Sequence, residues 1–258
     1  MLQIKNLSKS FNIGTENEVT IFNNFNLTIH DNEFVAILGS NGCGKSTLFN
    51  LISGSLQSET GSILLDDKEI NSLKEEKRAF GVSKIHQDPS KGVSPSLTVL
   101  ENISLANKKC EKFSFRRLIQ KNNISNFIQL LKEVDLGLEN KLNTQVKFLS
   151  GGQRQALSLI MSTIKKPKLL LLDEHTSALD PKTSKIIMEK TKDLIKKQKI
   201  TTLMISHNLR DAIKYTDRII MLDKGRVILD IPSKNITEAE LSRIYASKIN
   251  NFNIPLAI

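Results

Sequence analysis

Short apolar segments separated by polar breaks fill the first part of the chain, a pattern typical of β-strands. The segment Phe34–Leu38 is apolar throughout, as expected of a strand that is buried on both faces of a parallel sheet. It leads into Gly39 and then into a helix predicted from about Ser46. The strands predicted in this part are Leu2–Leu7, Val19–Ile29, Phe34–Leu38, Ile63–Leu65 and Val82–Ile85.

The pattern changes between about residues 97 and 164, where apolar residues recur at helical spacing, as at Ile124, Phe127, Ile128 and Leu131. This spacing predicts an α-helical subdomain inserted into the sheet domain. Strands and helices then alternate, which favours a parallel sheet with crossover helices. The predicted elements are strands at Leu169–Leu172, Thr201–Ile205, Ile219–Leu222 and Val227–Leu229, and a helix with Pro181 in its first turn.

Length and composition allow one large α/β domain, with or without a subdomain, in the 258 residues. The chain begins without the apolar stretch of a signal peptide, and its longest apolar runs fall far short of the roughly 20 residues that span a bilayer. Two cysteines, Cys43 and Cys110, are too few for a disulfide framework and fit a reducing cytosol. We therefore expect a soluble protein, or one held at a membrane only by a partner.

The net charge of +10 raises the question of a nucleic-acid partner. Lys, Asn and Ile are abundant together, and all three have A/T-rich codons, so genome composition explains the charge better and no nucleic acid is expected. A basic face turned toward anionic lipid headgroups is an equally open alternative. The basic stretch Lys108–Arg117 could face headgroups or a membrane partner, but a solvated insertion with buried Phe side chains is favoured.

The strand Phe34–Leu38 and the helix after it flank a phosphate-binding loop of the form G-x-x-x-x-G-K-[ST]. Its glycines let backbone N–H groups turn toward phosphate oxygens, and the helix N-terminus adds partial positive charge. Lys45 is predicted to reach the β- and γ-phosphates, and the hydroxyl of Ser46 to bind Mg²⁺. Cys43 is interpreted as a tolerated small residue. The nucleotide-binding residues predicted here are Gly39, Ser40, Asn41, Gly42, Cys43, Gly44, Lys45, Ser46 and Thr47.

Two carboxylates, Asp173 and Glu174, follow the predicted buried strand Leu169–Leu172. α/β sheets place ligands at the carboxyl ends of their strands. Asp173 is expected to hold Mg²⁺ through water, and Glu174 to act as general base toward the attacking water. Taken alone, the pattern is also that of an ordinary strand end.

A more specific motif, Leu149-Ser150-Gly151-Gly152-Gln153, lies between the phosphate-binding loop and the two carboxylates in the sequence. Ser150 is a good N-cap, so a helix is predicted to begin there with N–H groups available to an anion. A phosphate loop followed by this LSGGQ motif resembles the ATP-binding cassette (ABC) ATPases. The resemblance implies that Ser150, Gly151, Gly152 and Gln153 contact the γ-phosphate of ATP held by a second subunit. ATP would then join two subunits, and hydrolysis would release them.

Four further residues resemble motif positions of this family. Phe11 occupies the place of the aromatic residue that stacks on adenine, although an ordinary core Phe is the alternative. Gln87 resembles the Q-loop glutamine, which senses Mg²⁺ and the attacking water and lies against the transport partner. Asp180 resembles the D-loop aspartate at the dimer interface, and His207 resembles the switch histidine that contacts the γ-phosphate.

His175 departs from the family pattern, because most cassettes have Pro after the two carboxylates. We interpret it as a neutral substitution without a catalytic role. The string from Asp173 to Pro181 is similar to one branch of bacterial importer ATPases that work with a separate binding protein, some of them linked to aromatic amino acids.

The resemblance as a whole implies an α/β fold, a P-loop NTPase with a RecA-like parallel sheet core, an N-terminal antiparallel β part and an inserted α-helical subdomain. The expected organisation is a single ABC ATPase domain over residues 1–258, with a core at 1–90 and 165–246, a helical subdomain at about 91–164 and a tail at 247–258. The implied function is ATP hydrolysis coupled to solute transport, with ATP and Mg²⁺ bound. The implied partners are a second cassette in a homodimer or a paired cassette, a separate transmembrane permease and a solute-binding protein. The implied location is peripheral, at the cytoplasmic face of the inner membrane.

Two other classes of protein share part of this pattern. A soluble ABC ATPase that drives iron–sulfur cluster assembly has a similar size and stays open as an alternative. A P-loop kinase shares Lys45 and Ser46 but gives no reason for LSGGQ, Asp180 or His207. No residue names the cargo, because specificity in such transporters resides in the permease and the binding protein.

Overall fold

The computed structural model describes residues 1–109 and 118–249. Their contacts group them into two compact units. The first unit runs from Met1 to Arg78 and resumes at Thr201, and the second comprises Ala79–Ile200. The division into a core at 1–90 and 165–246, a helical subdomain at about 91–164 and a tail at 247–258 remains a prediction.

The first unit contains an antiparallel sheet. β1 (Leu2–Phe11) pairs with β2 (Val19–Ile29) and with β4 (Thr60–Leu65), and β4 pairs with the short β5 (Lys68–Glu69). Apolar buried residues recur along β2 among exposed polar ones, which fits a sheet with one face on the core. The buried residues of β2 are Phe22, Phe25, Leu27 and Ile29.

A second group of strands in the first unit surrounds β3 (Phe34–Gly39), in which every residue is buried. β3 pairs in parallel with β8 (Thr201–Ile205) and with β9 (Arg218–Asp223), and β9 turns back into antiparallel β10 (Arg226–Pro232). A strand flanked on both edges and covered on both faces requires apolar side chains throughout, which explains the continuous run. The helices of this unit are α1 (Lys45–Ser53), α2 (Glu75–Arg78), α7 (Leu209–Tyr215) and α8 (Glu238–Ile249), with a 3₁₀ turn at Ser233–Asn235.

The second unit combines a parallel strand pair with helices. β6 (Val82–Ile85) and β7 (Leu169–Asp173) lie side by side in parallel. The helices are α3 (Val99–Asn107), α4 (Lys121–Glu133), α5 (Gly151–Thr163) and α6 (Pro181–Gln198), with 3₁₀ turns at Leu138–Asn140 and Val146–Phe148. The helical spacing predicted for this region is confirmed, and α4 buries Phe127 and Leu131 as that spacing requires.

The predicted α/β fold class, with antiparallel and parallel β parts and an inserted helical segment, is confirmed. The observed strands Val19–Ile29, Val82–Ile85 and Thr201–Ile205 begin and end at the predicted residues. The helix after the phosphate loop begins at Lys45, one residue before the predicted start at Ser46. The pattern does not predict α7 or α8. α7 is short, and α8 has a largely exposed, polar surface around the buried Leu241, so the apolar periodicity of both is weak.

Two predicted features lie outside the described residues. They are residues 110–117 of the basic stretch, which include Cys110, and residues 250–258 of the expected tail. The first residues of that tail are helical, because α8 extends to Ile249. Across 1–109 and 118–249, no helix has the length and apolar character needed to cross a membrane.

Candidate functional site

Three neighbouring parallel strands of the first unit end at one edge of their sheet. β3 ends at Gly39, level with Leu222 of β9, and Ile37 of β3 is level with Ile205, the last residue of β8. The phosphate loop continues from β3 at this edge, and His207 follows β8 there. Parallel sheets bind ligands outside the carboxyl ends of their strands. The first unit therefore brings these two predicted site segments to a ligand-binding edge.

Two positions of the phosphate loop accept glycine alone. Gly44 has φ +111°, and a Cβ there would lie 2.8 Å from Cζ of Phe22. Gly39 has φ +147°, and a Cβ there would overlap the carbonyl oxygen of Leu222. A side chain at either position would be both strained and obstructed. The two glycines therefore let the loop pass close to β2 and β9.

Cys43 lies inside this loop and is buried, with 3% of its surface exposed. Burial raises the pKa of its thiol. A protonated, buried thiol behaves as a small apolar side chain, which supports the interpretation of Cys43 as a packing residue. The neighbouring Asn41, Gly42 and Ser46 are exposed, and Ser40 and Thr47 are half-buried.

Lys45 begins α1 and folds back over the loop. Its Nζ donates hydrogen bonds to the carbonyl oxygens of Gly39, at 2.7 Å, and Ser40, at 2.8 Å. No side chain caps the N-terminus of α1 at Gly44. The first N–H groups of α1 and the ammonium of Lys45 therefore concentrate positive charge at the loop, beside the exposed hydroxyl of Ser46. Such an arrangement can bind a polyphosphate.

The other end of α1 is held by Arg78, which the sequence pattern does not single out. Its guanidinium donates to the carbonyl oxygens of Leu51, at 2.6 Å, and Ile52, at 3.2 Å, in the last turn of α1. It also donates to the carbonyl oxygens of Asn71 and Leu73, each at 2.9 Å. Burial lowers the pKa of Arg78, which is 4% exposed. A cation at a helix C-terminus is favourable, so Arg78 fixes the helix that carries the phosphate loop.

Phe11 ends β1 and is 36% exposed. The Nζ of Lys9 lies 5.2 Å from the centroid of its ring. This exposure distinguishes Phe11 from a core phenylalanine and leaves an aromatic face on which a purine base could stack. His207 is also exposed, just beyond β8, and the next residue, Asn208, caps α7.

The second unit places the predicted catalytic carboxylate beside the predicted Q-loop glutamine. Ile85 of β6 is level with Leu172 of β7, so the residues that follow these strands lie at one edge. The Nε2 of Gln87 donates a hydrogen bond of 3.3 Å to Oε2 of Glu174. Asp173 lies between Leu172 and Glu174 at the end of β7. Residues far apart in sequence are thus brought together at this strand edge.

A pocket of about 390 Å³ opens at the same edge. The lining residues are His86, Gln87, Asp88, Pro89, Lys91, Asp173 and Ala178. Lys84 of β6, which the sequence pattern does not single out, carries its Nζ to 3.5 Å from Oδ2 of Asp173. The edge therefore brings carboxylates, lysines and the Gln87 amide close to an open volume.

Glu174 begins a tight turn between β7 and α6. Its φ is +48°, which is uncommon for a residue other than glycine and occurs where the surroundings fix the backbone. Its carbonyl oxygen accepts hydrogen bonds from the N–H of Ser177, at 3.0 Å, and from the Ser177 hydroxyl, at 2.8 Å. The turn ends at the exposed Asp180, which caps α6. Hydrogen bonds from Thr183 lower the pKa of Asp180.

The start of α5 at Ser150 is confirmed as predicted. The Oγ of Ser150 accepts from the N–H of Gln153, and the Oε1 of Gln153 accepts from the N–H of Ser150, each at 3.2 Å. This reciprocal pair is a capping box. Gln153 also accepts from Lys141 Nζ and donates to the carbonyl oxygen of Leu136, each at 3.1 Å. The glutamine of the motif therefore fixes the helix start in addition to its predicted contact with nucleotide.

The two glycines of the motif differ in their surroundings. A Cβ at Gly152 would overlap Cγ2 of Thr183 in α6, whereas a Cβ at Gly151 would make an ordinary contact of 3.6 Å with Cδ2 of Leu179. The close approach of α5 to α6 thus requires glycine at 152. It does not require glycine at 151.

His175 is buried, with 2% of its surface exposed. Its Nε2 lies 3.3 Å from Oγ1 of Thr191 in α6, which is itself fully buried. Burial lowers the pKa of His175 to about 4. The imidazole is therefore neutral at physiological pH and anchors the Glu174 turn to α6. A histidine after two carboxylates gives no signal in the sequence that it will be buried.

The sequence has clear relatives. A family model described as ABC transporter matches residues 22–177. The chain is 50% identical over 244 residues to the tyrosine transport ATP-binding protein of Clostridioides difficile, an alignment that covers 93% of this chain and 97% of that protein. It is 34% identical over 254 residues to the spermidine/putrescine import ATP-binding protein PotA of Mannheimia succiniciproducens, which covers 98% of this chain. The chain spans 64% of the length of that PotA protein.

A solved structure has the same fold. The dimeric, post-hydrolysis state of the ATP-binding cassette MJ0796, bound to ADP and Pi, matches with a TM-score of 0.76 at 29% identity. The match covers 90% of this chain and 99% of that chain. The structural comparison thus agrees with the sequence comparisons.

Proposed function

The chain belongs to the ABC transporter family as an ATP-hydrolysing subunit, and we propose that it powers the import of a small solute, with an aromatic amino acid as the first candidate cargo. The observation that carries the proposal is the 50% identity to a tyrosine transport ATP-binding protein along 97% of that protein. The likeness to an import ATP-binding protein supports the inward direction.

ATP is the substrate, and the first unit supplies groups that suit its phosphates and base. Residues Gly39 to Thr47 would surround the β- and γ-phosphates with backbone N–H groups. Lys45, whose ammonium is held by loop carbonyl oxygens, would turn to the phosphates and exchange those neutral acceptors for charged ones. Phe11 would stack on adenine, and His207 would contact the γ-phosphate.

Mg²⁺ suits the oxygen donors of the proposed metal residues. These are the Asp173 carboxylate, the Ser46 hydroxyl and the amide oxygen of Gln87, whose Nε2 is directed to Glu174. Proteins hold Mg²⁺ through one or two carboxylates together with phosphates and water. When bound, the ion would offset negative charge on the phosphates.

Glu174 is the proposed general base. Its Oε2 is oriented by the amide of Gln87, and its backbone is fixed by the turn to Ser177. Glu174 would take a proton from water as the water oxygen attacks the γ-phosphorus. The bond from that phosphorus to the β–γ bridging oxygen breaks, which yields ADP and phosphate. Gln87 therefore acts by orienting the base.

The LSGGQ segment is proposed to act on ATP bound by a second copy of the chain. The capping box links Ser150 to the first turn of α5, so this chain forms the helix N-terminus with its own side chains. Asp180 is exposed at the start of α6 and would lie at the same dimer interface. The dimeric form of the solved cassette supports this arrangement.

As a subunit of an import system, the protein is associated with a membrane through a separate permease. We place it on the cytoplasmic face of the inner membrane, peripherally bound, with the permease close to the Gln87 segment. A solute-binding protein would deliver the cargo to the permease. ATP-driven closure of the cassette dimer would then move the permease.

An affinity pull-down tests this function. The tagged Glu174→Gln protein, which should bind ATP without hydrolysing it, is used with ATP to isolate partners from detergent-solubilised native membranes. Mass spectrometry should identify a multi-span permease, with or without a binding protein, and Lys45→Ala without ATP is the control bait. Recovery of iron–sulfur assembly proteins or ribosomes in place of a permease would contradict transport while leaving the ATPase intact.

A further inference from the structure

The carboxylate proposed to hold Mg²⁺ is already paired with a lysine. Lys84 Nζ lies 3.5 Å from Asp173 Oδ2. Lys84 is level with Leu171 on the neighbouring parallel strand, two residues before Asp173, so the Lys84 and Asp173 side chains emerge on the same face. Their side chains are 14% and 19% exposed. The pair is therefore fixed by strand register and is largely shielded from solvent.

We infer that Lys84 is a counter-cation of Asp173 that weakens this site for a divalent metal ion until ATP is bound. The inference rests on the proposed role of Asp173 as a metal-binding residue. The role of Lys84 is electrostatic, because its ammonium pairs with Asp173 and repels a cation held there.

Electrostatics explains the proposed effect. Repulsion between +2 and +1 charges roughly 5 to 7 Å apart, a range that allows for an ion held at Asp173 directly or through water, lowers affinity about tenfold even at the dielectric constant of water. Partial burial of both side chains strengthens this repulsion. The phosphates of ATP bring several negative charges, which outweigh one lysine. Metal binding thereby becomes dependent on nucleotide.

The burial of the Lys84 side chain determines which substitutions can test its charge. With 14% of its side chain exposed, Lys84 is largely enclosed by its neighbours. Lys84→Met and Lys84→Gln keep a side chain of similar length, so they remove the charge with little change in packing. Lys84→Arg keeps the charge.

The experiment measures Mn²⁺ binding to the nucleotide-free, full-length protein by electron paramagnetic resonance of the free ion. Lys84→Met and Lys84→Gln should bind Mn²⁺ about tenfold more tightly than the parent, and Lys84→Arg should match the parent. Adding Asp173→Asn to Lys84→Met should remove the gain. Thermal unfolding confirms that each variant is folded.

The outcomes separate this inference from the proposed function. Unchanged or weaker Mn²⁺ binding in both Lys84→Met and Lys84→Gln would overturn the role of Lys84. A gain that persists in Lys84→Met with Asp173→Asn would place the ion elsewhere and would overturn the assignment of Asp173. The metal role of Asp173 is tested separately, because Asp173→Asn alone should lose the effect of Mg²⁺ on ATP affinity.

Discussion

Gln87 and Glu174 are joined by a hydrogen bond of 3.3 Å from the amide Nε2 to the carboxylate Oε2. The two residues follow adjacent parallel strands, β6 and β7, whose ends are level at Ile85 and Leu172. The register of β6 and β7 therefore sets the orientation of Glu174, the proposed base.

Changing Gln87 to Glu should slow hydrolysis without weakening ATP binding. The variant keeps the length of the side chain but sets a second carboxylate against Glu174, and like charges at this distance favour protonation of one of them. We expect kcat at pH 7 to fall about tenfold and the acidic limb of the kcat–pH profile to move to higher pH. Gln87→Ala is the control, since it should lower kcat without moving that limb. Identical pH profiles for Gln87→Glu and wild type would contradict the contact.

The contact of Gly152 with Thr183 predicts a specific loss of stability. Gly152→Ala gains helix propensity but forces a methyl group into Cγ2 of Thr183, and overpacking of this kind costs about 2 kcal/mol. The melting temperature should fall by about 5 °C. Gly151→Ala, which meets an ordinary contact with Leu179, should not lower it. The double variant Gly152→Ala with Thr183→Ser removes the obstructing methyl group and should recover the wild-type value; failure to recover would mean that the clash is not the cause.

Burial of His175 predicts that stability depends on pH. The imidazole has a pKa of about 4 in the folded protein and 6.5 as its ordinary value, so between these pH values the unfolded chain binds a proton that the folded chain excludes. Above about pH 6.5, His175 has no effect on the free energy of unfolding. As pH falls below this value, His175 lowers that free energy, by about 1.4 kcal/mol at pH 5.5. Urea unfolding at pH 7.5 and 5.5 measures it. His175→Gln should lack this part of the pH dependence, and an equal dependence in the variant would show that His175 is not its source.

Arg78 is predicted to support the phosphate loop from a distance. Arg78→Met would leave four carbonyl oxygens without their donor and should lower the free energy of unfolding by about 3 kcal/mol. Arg78→Lys keeps the charge at the end of α1 but has fewer donors, so its loss should be intermediate. Denaturant titration compares the three proteins. A fully stable Arg78→Met protein would contradict the role assigned to these hydrogen bonds.

Local chemistry explains what the sequence could predict. Ser150 is recognisable as an N-cap from its own neighbourhood, and the run Phe34–Leu38 is recognisable as a buried strand from its composition. The order of the motifs along the chain identifies Gln87 and Glu174 as site residues once the family resemblance is known. These features depend on short segments or on known order along the chain.

Other features depend on packing between distant segments, which no local pattern encodes. Lys84 reaches Asp173 only because β6 and β7 are in a particular register. Gly152 is constrained by Thr183 in another helix, and Arg78 by the end of α1. The burial of His175 likewise requires the position of Thr191. Lys84 and Arg78 are ordinary in sequence, and the packing roles of Gly152 and His175 are set by their tertiary neighbours.

The role of Glu174 is tested by ATP turnover and ATP-dependent dimerisation of Glu174→Gln, measured together by phosphate release and by light scattering after size-exclusion chromatography. The amide replaces the proposed base with little change in shape. We expect turnover to fall at least about a hundredfold, with a stable dimer in ATP and a monomer in ADP. Adding Ser150→Arg, which would obstruct the site on the opposite subunit, should abolish the dimer. Normal hydrolysis by Glu174→Gln would contradict the assignment of Glu174 as the base on which the whole mechanism depends.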